Sequence, residues 1–238
     1  MNTSDNLFRF TPNVKMADAI SRHHSLLTVL PRLSIPLGFG EKTIKQLCDE
    51  NNVSLMLFMM IGKIHIQDNY HPDTEELEQC RMTDLTQYLQ NSHNDYLCNK
   101  LPHIESHLNM FLGNIQERYA TLIANFYKEF KDGVKKHFRY EEEVVFPYLN
   151  EISGCSKQRI TEKCSSRSAI NKQHDDIEDT LKDLTNLLLK YIPAEVLPTE
   201  RIDMLMDMYS LADDIEKHAM MEDRILIPYI QMLESKKR

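Results

Sequence analysis

The sequence predicts an all-α fold, namely an antiparallel four-helix bundle with a small helical N-terminal domain. The first observation behind this prediction is composition: the 238 residues include only 6 glycines, helix-forming residues dominate, and alternating β-branched runs are scarce. The second is a pattern of histidine, glutamate and proline that returns after 81 residues, at spacings that fit paired helices. A chain of this length can hold one large core, or a main domain plus a small one.

The N-terminal domain is predicted to span residues 1–75 and to consist of several short helices. Three helical stretches, "MADAISRHHSLLTVLPRL", "EKTIKQLCDEN" and "VSLMLFMMIGKI", are separated by the turn "PLGFG" and by Asn51-Asn52. We interpret the polar stretch "QDNYHPD" as a linker to the second domain. Met56, Met59 and Met60 are expected to fill the core rather than to line a cofactor site.

The second domain, residues 76–238, contains the repeat. The segment "HFRYEEEVVFPYL" begins at residue 137, and "HAMMEDRILIPYI" begins 81 residues later, at residue 218. A further histidine precedes each segment by 44 residues. The pairs that share the offset are His93 and His174, His137 and His218, Glu141 and Glu222, and Pro147 and Pro228.

The 44-residue spacing predicts two helical hairpins. If His93 and His137 face each other across an antiparallel pair, the turn lies near residue 115, beside Gly113-Asn114. In the second half the midpoint is Val196, within the helix-breaking stretch "IPAEVLP". The predicted helices span about 80–113, 116–150, 166–191 and 199–235, with a crossover at 153–166 and a kink or interruption at Pro102.

The repeat has the composition of a metal site. Residues four apart on a helix share a face, so each His–Glu pair presents an imidazole and a carboxylate together. Burying such groups is costly unless a partner satisfies them, and metal ions do so. Six donors suit two metals, each with two histidines, bridged by both glutamates and leaving room for an oxo or hydroxo bridge and an exchangeable ligand. The predicted ligands are His93, His137, Glu141, His174, His218 and Glu222.

Several points stay open at this level. Donors without thiolate favour iron or manganese and leave zinc open, and histidines can pair on one metal within a hairpin or across hairpins. The alternative to a metal site is a duplicated hairpin with hydrogen-bonded core histidines, since single His-x-x-x-Glu matches also occur at His71 and at His174. We interpret the remaining candidates as solvated (Glu142, Glu143), as structural or surface residues (His103, His107), or as a thiol with a redox role to be considered (Cys98).

Charge and cysteine content limit the class of protein. The net charge is −8 and no long run of one sign occurs, so neither a nucleic-acid binder nor an anionic-membrane binder is expected. The 5 cysteines are widely spaced without a Cys-x-x-Cys pair, which argues against a disulfide scaffold or a cysteine zinc site. Because no signal pattern and no membrane-length apolar run occur, we expect a cytoplasmic protein with reduced thiols.

At the residues of the repeat, about 80–235, the chain resembles the hemerythrin-like (HHE cation-binding) domains. This resemblance implies that the six predicted ligands hold two carboxylate-bridged iron ions. The stretch "LPRLSIPLGFGEKTIKQLCDENNVSLMLFMMIGKI" is similar to the N-terminal domain of the repair-of-iron-centres proteins, which are associated with mending nitrosatively or oxidatively damaged iron–sulfur clusters. The Cys-Cys pair usual in that domain is absent here, where the chain reads Leu37-Gly38-Phe39-Gly40.

These features predict a non-haem di-iron protein of the response to nitric oxide or oxidative stress, acting by iron–sulfur cluster repair, iron donation or processing of the small molecule. Its expected partners are O₂, nitric oxide and damaged iron–sulfur proteins. The alternative is a module that binds or senses O₂ or nitric oxide without turnover. A DNA-reading role for "EKTIKQLCDENNVSLMLFMMI" is disfavoured, because its second helix offers Leu, Met and Phe where polar and basic residues are needed.

Overall fold

The computed structural model describes residues 9–154, 167–193 and 198–236, which are predominantly helical and contain no β-strand. The all-α prediction is therefore confirmed. Short helices form the N-terminal region, and their bounds are α1 (Met16–Arg22), α2 (Leu26–Arg32), α3 (Ile44–Glu50), α4 (Leu55–Ile66) and α5 (Thr74–Gln79).

Four long helices follow, and three of them contain one π turn of five residues. Helix α8 is regular throughout and spans Arg167–Lys190. The other three are α6 (Met82–Asp95, π turn Tyr96–Lys100, Leu101–Leu112), α7 (Glu117–Tyr140, π turn Glu141–Val145, Phe146–Ile152) and α9 (Pro198–Met221, π turn Glu222–Leu226, Ile227–Lys236).

These helices form the predicted bundle. Their ends lie within two residues of the predicted spans. Each long helix packs against the next, and α9 closes the ring against α6. Because consecutive helices pair directly, they run antiparallel. Most of the predicted crossover, and the predicted turn at Val196, lie outside the described residues, as do Cys155 and Cys164.

Local side-chain caps start the N-terminal helices where the sequence signals indicate. Thr43 and Gln46 form a capping box at α3, and Asp73 forms the same arrangement at α5. The Ser54 hydroxyl accepts the Leu57 N–H at the start of α4. These caps satisfy backbone donors that would otherwise lack partners, so short helices can form along this part of the chain.

The N-terminal region packs against one end of the bundle. Helix α2 contacts α6, and α4 contacts α9. Met60 is fully buried and Met59 is 8% exposed, in one apolar core that also contains Leu149 and Ile225 of the long helices. The methionines thus fill the core as expected. The division into two domains at residue 75 stays a prediction, since this core is shared between the two parts.

A second apolar core fills the other half of the bundle, including Phe111, Phe130 and Leu184. Along α6, α7 and α9 the predicted ligands lie at the boundary between the residues of the two apolar cores, and on α8 His174 precedes the residues of the second core. The polar residues therefore form one layer across the bundle, enclosed by apolar side chains on both sides.

Three other expectations concern the course of single helices. Pro102 follows the π turn of α6 and the helix continues past it, so the predicted interruption takes the form of a π turn. Helix α4, the second helix of the considered DNA-reading motif, is buried along most of its length and has no free face for a groove. Among the described residues, no helix has both the length and the apolar character needed to cross a membrane.

Candidate metal centre

The six predicted ligands meet in the buried layer of the bundle. They come from all four long helices, and none is more than 6% exposed. Both carboxylates are fully enclosed at 0% exposure, which is rare for glutamate unless it is paired or bound to a metal. The structure thus brings together every residue that the repeat selects, namely His93 from α6, His137 and Glu141 from α7, His174 from α8, and His218 and Glu222 from α9.

The two glutamates connect two pairs of histidines. One oxygen of Glu141 lies 3.0 Å from His93 Nε2, and the other lies 3.5 Å from His137 Nε2. One oxygen of Glu222 lies 2.8 Å from His218 Nε2, and the other lies 3.0 Å from His174 Nε2. In each carboxylate, the two oxygens therefore face two different histidines, one from each pair. A ligand that bridges two metal ions needs this arrangement.

The histidine pairing that the sequence left open is visible in this geometry. His137 and His174 have their Nε2 atoms 3.0 Å apart, and they group with both glutamates. His93 and His218 group with Glu141 on the other side of the layer. The pairs are α7 with α8 and α6 with α9, so the histidines pair across the predicted hairpins and not within them.

The π turns explain why proline recurs in the repeat. Glu141 begins a π turn whose closing hydrogen bond runs from Phe146 N–H to the Glu141 carbonyl. In α9 the Ile227 N–H donates to the Glu222 carbonyl in the same way. The next residue in each helix is a proline, which has no N–H to donate to the α-helical acceptor. A widened turn accommodates this loss, and it sits at the residue that carries the carboxylate.

Several candidate donor atoms lie close to one another without forming a well-aligned hydrogen bond. Within the part of the chain that the structure describes, the oxygens of Glu141 and Glu222 and both ring nitrogens of His218 make no such bond, although Glu222 lies 2.8 Å from His218 Nε2. Leaving buried polar atoms unpaired costs about 1–3 kcal/mol each, more for charged groups. Metal cations between the carboxylates and imidazoles would satisfy these atoms, whereas hydrogen bonds such as the one between His137 and His174 satisfy only some of them.

The electrostatics of the layer are compatible with bound cations. Burial, followed by repulsion from Glu222, raises the pKa of Glu141 to about 7. Burial alone lowers the pKa of His137, but the attraction of Glu141 and Glu222 outweighs it and raises that pKa to about 9. Burial lowers the pKa of His218 to about 4, which leaves its imidazole neutral and able to coordinate. Without metal the layer retains protons to balance its carboxylates, and metal cations can supply the same charge.

Glu142 is a contributor that sequence reasoning assigned to solvent. Its side chain is 46% exposed, but one oxygen lies 2.8 Å from His93 Nδ1. A carboxylate can only accept here, so Nδ1 carries the hydrogen of this bond, which orients the ring with Nε2 facing Glu141. Glu142 is therefore exposed, as expected, and it also contacts a residue 49 positions away on another helix, which the sequence did not indicate. Glu143, the next residue, is exposed as expected.

Aromatic rings enclose the layer and fix its histidines. The Phe138 ring stacks on His93 with a centroid distance of 4.0 Å. Tyr96 is fully buried, meets His218 edge-on at 5.6 Å, and donates its hydroxyl to the Asp214 carbonyl at 3.0 Å. These contacts restrict the rotamers of two candidate ligands and keep water away from that side of the centre.

A small cavity adjoins the centre. Its volume is about 10 Å³, which is close to the space of one water-sized molecule. Three of its lining residues are candidate ligands, and the others are apolar or aromatic. The lining is Val134, His137, Phe138, His174, Ile177, Ile215 and His218.

Two remaining candidates lie outside the buried layer. The Cys98 thiol is exposed and contacts Asn94 Oδ1 at 3.3 Å, so it is not part of the centre. His103 and His107 lie further along α6, beyond its π turn, and face Asp207 of α9. Neither histidine joins the six central residues.

Fold and site together define a class of protein: a helical bundle whose interior holds a layer of histidines and carboxylates able to bind metal. The particular family is shown by sequence comparison, since residues 87–230, more than half of the chain, match the hemerythrin HHE cation binding domain. The chain belongs to this family. None of the curated proteins matches it. The N-terminal region lies outside the matched residues.

Proposed function

We propose that this protein is a non-haem di-iron protein that binds a small diatomic ligand, O₂ or nitric oxide, in the cytoplasmic response to nitric oxide or oxidative stress. The observation that carries the proposal is the orientation of the two carboxylates. In each of them, one oxygen faces a histidine of one pair and the other oxygen faces a histidine of the other pair. The membership of the chain in a cation-binding family supports the metal, and the donor set of imidazole and carboxylate supports iron.

In this proposal His93 and His218 would hold one iron, and His137 and His174 would hold the other. Glu141 and Glu222 would contribute their carboxylates to both. Bound iron would supply open coordination positions and electrons to the ligand. The role of the chain is to fix the donors and to orient the imidazoles toward the metal, as Glu142 does for His93.

The apolar cavity supports a small ligand. It lies between Val134, Ile177 and Ile215 and directly beside His137 and His174. With a volume of about 10 Å³ it admits a diatomic molecule more readily than an organic substrate. Its apolar walls favour uncharged ligands over anions, since a charge loses its hydration there without gaining a partner.

Metal content tests the first half of the proposal. Anaerobically prepared protein is expected to contain about two irons per chain, and His137→Ala and Glu222→Ala are expected to lose iron while helical content persists. Glu143→Ala is the matched control, because it is an exposed glutamate of the same motif. Full iron in both ligand variants, or two zincs after iron reconstitution, would rule out the assignment.

Ligand binding tests the second half. Nitric oxide or O₂ added to the reduced, iron-loaded protein is expected to change its visible absorption, with a slower rate in Ile177→Phe, which fills the cavity. Leu184→Phe, a buried change two turns further along α8, controls for general repacking. Equal rates in both variants at unchanged iron content would show that the cavity does not admit the ligand.

A second candidate function is iron–sulfur cluster repair or iron donation, which the N-terminal resemblance supports. Burial raises the pKa of both Cys48 and Cys80 to about 12, so these thiols are poor nucleophiles and poor electron carriers. The exposed Cys98 is the accessible thiol among the described cysteines. Restoration of a nitric-oxide-damaged cluster by the iron-loaded protein, compared with Cys98→Ser, distinguishes repair from ligand binding alone.

A further inference from the structure

A second group of metal-binding side chains lies on the surface of the bundle. His107 Nδ1 is 2.8 Å from Asp207 Oδ2, and His103 Nε2 is 3.5 Å from the same oxygen. The two imidazole rings are 4.4 Å apart. One donor atom from each residue lies within 4.8 Å of the others, so the three side chains converge on one point.

The local structure accounts for this convergence. His103 and His107 are four residues apart on α6, so they share one face of the helix. Helix α9 packs antiparallel against this face and supplies Asp207. From His93 to His103 the helix rises by about 15 Å, so this cluster is separate from the buried layer.

The cluster has the exposure that an exchangeable metal site needs. The side chain of His103 is 59% exposed, whereas those of His107 and Asp207 are about one-third exposed. The protein surface therefore restrains two of the donors, and solvent can reach all three. The adjoining surface hollow, lined by His107, carries Glu200 and Asp203, whose charges attract cations.

We propose that His103, His107 and Asp207 form a second metal site, selective for borderline divalent ions such as Zn²⁺, Cu²⁺, Ni²⁺ or Co²⁺. Two imidazoles and one carboxylate match the ligand preference of these ions, and water completes the coordination. Hard ions such as Mg²⁺ and Ca²⁺ prefer oxygen donors and are not expected to bind. The ion joins α6 to α9, two helices that also carry ligands of the buried centre.

Zinc binding to the iron-loaded protein tests the site. Equilibrium dialysis against ZnCl₂, with iron and zinc measured in the same sample, is expected to give one zinc per chain while the iron content stays constant. His103→Ala and Asp207→Asn are each expected to weaken this zinc binding at least 10-fold. A rise in the melting temperature on adding zinc, seen in the parent protein and absent in both variants, is the second readout.

His71→Ala is the matched control, since His71 is also exposed and, among the described residues, its ring Nδ1 contacts the backbone carbonyl of Asn69. It should bind zinc like the parent protein. Equal zinc binding in all variants, or zinc uptake only with loss of iron, would overturn the proposal. The His103 and Asp207 variants distinguish this site from the buried centre, because neither residue contributes to that layer.

Discussion

Replacing Arg32 by methionine tests how the N-terminal region is held on the bundle. The Arg32 side chain is fully buried and lies between two helices of the bundle. Its guanidinium donates to both carboxylate oxygens of Asp214, and the bond to Oδ1 measures 3.0 Å. It also donates to Asp95 Oδ2 at 3.0 Å. Its guanidinium also stacks on the Tyr96 ring at 4.7 Å. One residue of α2 thus contacts α6 and α9 beside the candidate metal centre.

The expected cost follows from the charges that remain. Removing one partner of a buried ion pair costs about 3–5 kcal/mol, because the other charge is left without compensation. Here Lys100 stays 2.8 Å from Asp214, and Asp95 is 19% exposed. The cost of Arg32→Met is therefore expected at the lower end, about 3 kcal/mol in the free energy of unfolding.

The pH dependence of this cost has a definite sign. Burial raises the pKa of Asp214, but Arg32 and Lys100 outweigh burial and hold it well below its usual range. A carboxyl with a depressed pKa stabilises the fold above its unfolded pKa, near 3.9 for aspartate, and loses that contribution as the pH falls toward its folded value. The difference between parent and variant should therefore be full at pH 7 and should shrink below about pH 4.

Urea denaturation of both proteins at pH 7 and at pH 3.5 measures these quantities. Adding Asp214→Asn to Arg32→Met should recover part of the loss, because the uncompensated charge is removed. Lys15→Met is the control, since Lys15 pairs with Glu41 at the exposed surface, and no measurable change is expected. A loss in Arg32→Met no larger than in Lys15→Met would refute the reasoning.

Three further predictions concern the centre and the core. Glu142→Gln removes the charged acceptor of His93 Nδ1 and is expected to lower metal affinity 10- to 100-fold, measured by competition with a chelator. Gly62→Ala places a Cβ 2.3 Å from the ring of Phe10, and is expected to destabilise the fold by about 1–3 kcal/mol in urea denaturation. Pro228→Ala restores an N–H and lets α9 close regular α-helical bonds, so the π turn should be lost and the metal content per chain should fall.

Each of these predictions has a control. Glu143→Gln changes the neighbouring exposed glutamate and should keep full metal affinity; equal losses would contradict a specific role for Glu142. Phe10→Leu combined with Gly62→Ala should regain part of the lost stability if the ring is the obstacle. Pro72→Ala, in the stretch before α5, should leave metal content unchanged, and full metal in Pro228→Ala would show that the proline does not position the carboxylate.

Sequence alone determined the fold class and the six central residues. The 81-residue offset and the i, i+4 spacing are local properties that helix geometry converts directly into shared faces. Helix bounds were predicted within two residues because the turn signals are also local. The π turns were not predicted, although a proline six residues after Tyr96, Glu141 and Glu222 is the signal that accompanies each of them.

Only the tertiary structure decided which residues meet across helices. The pairing of His137 with His174, the hydrogen bond from His93 to Glu142 and the approach of Asp207 to His107 depend on how antiparallel helices pack side by side. Spacing along one helix fixes which of its residues share a face, but it does not show which residues of a neighbouring helix lie opposite that face. The physical reason is that side-chain contacts between helices depend on their packing and rotation, which the whole core sets.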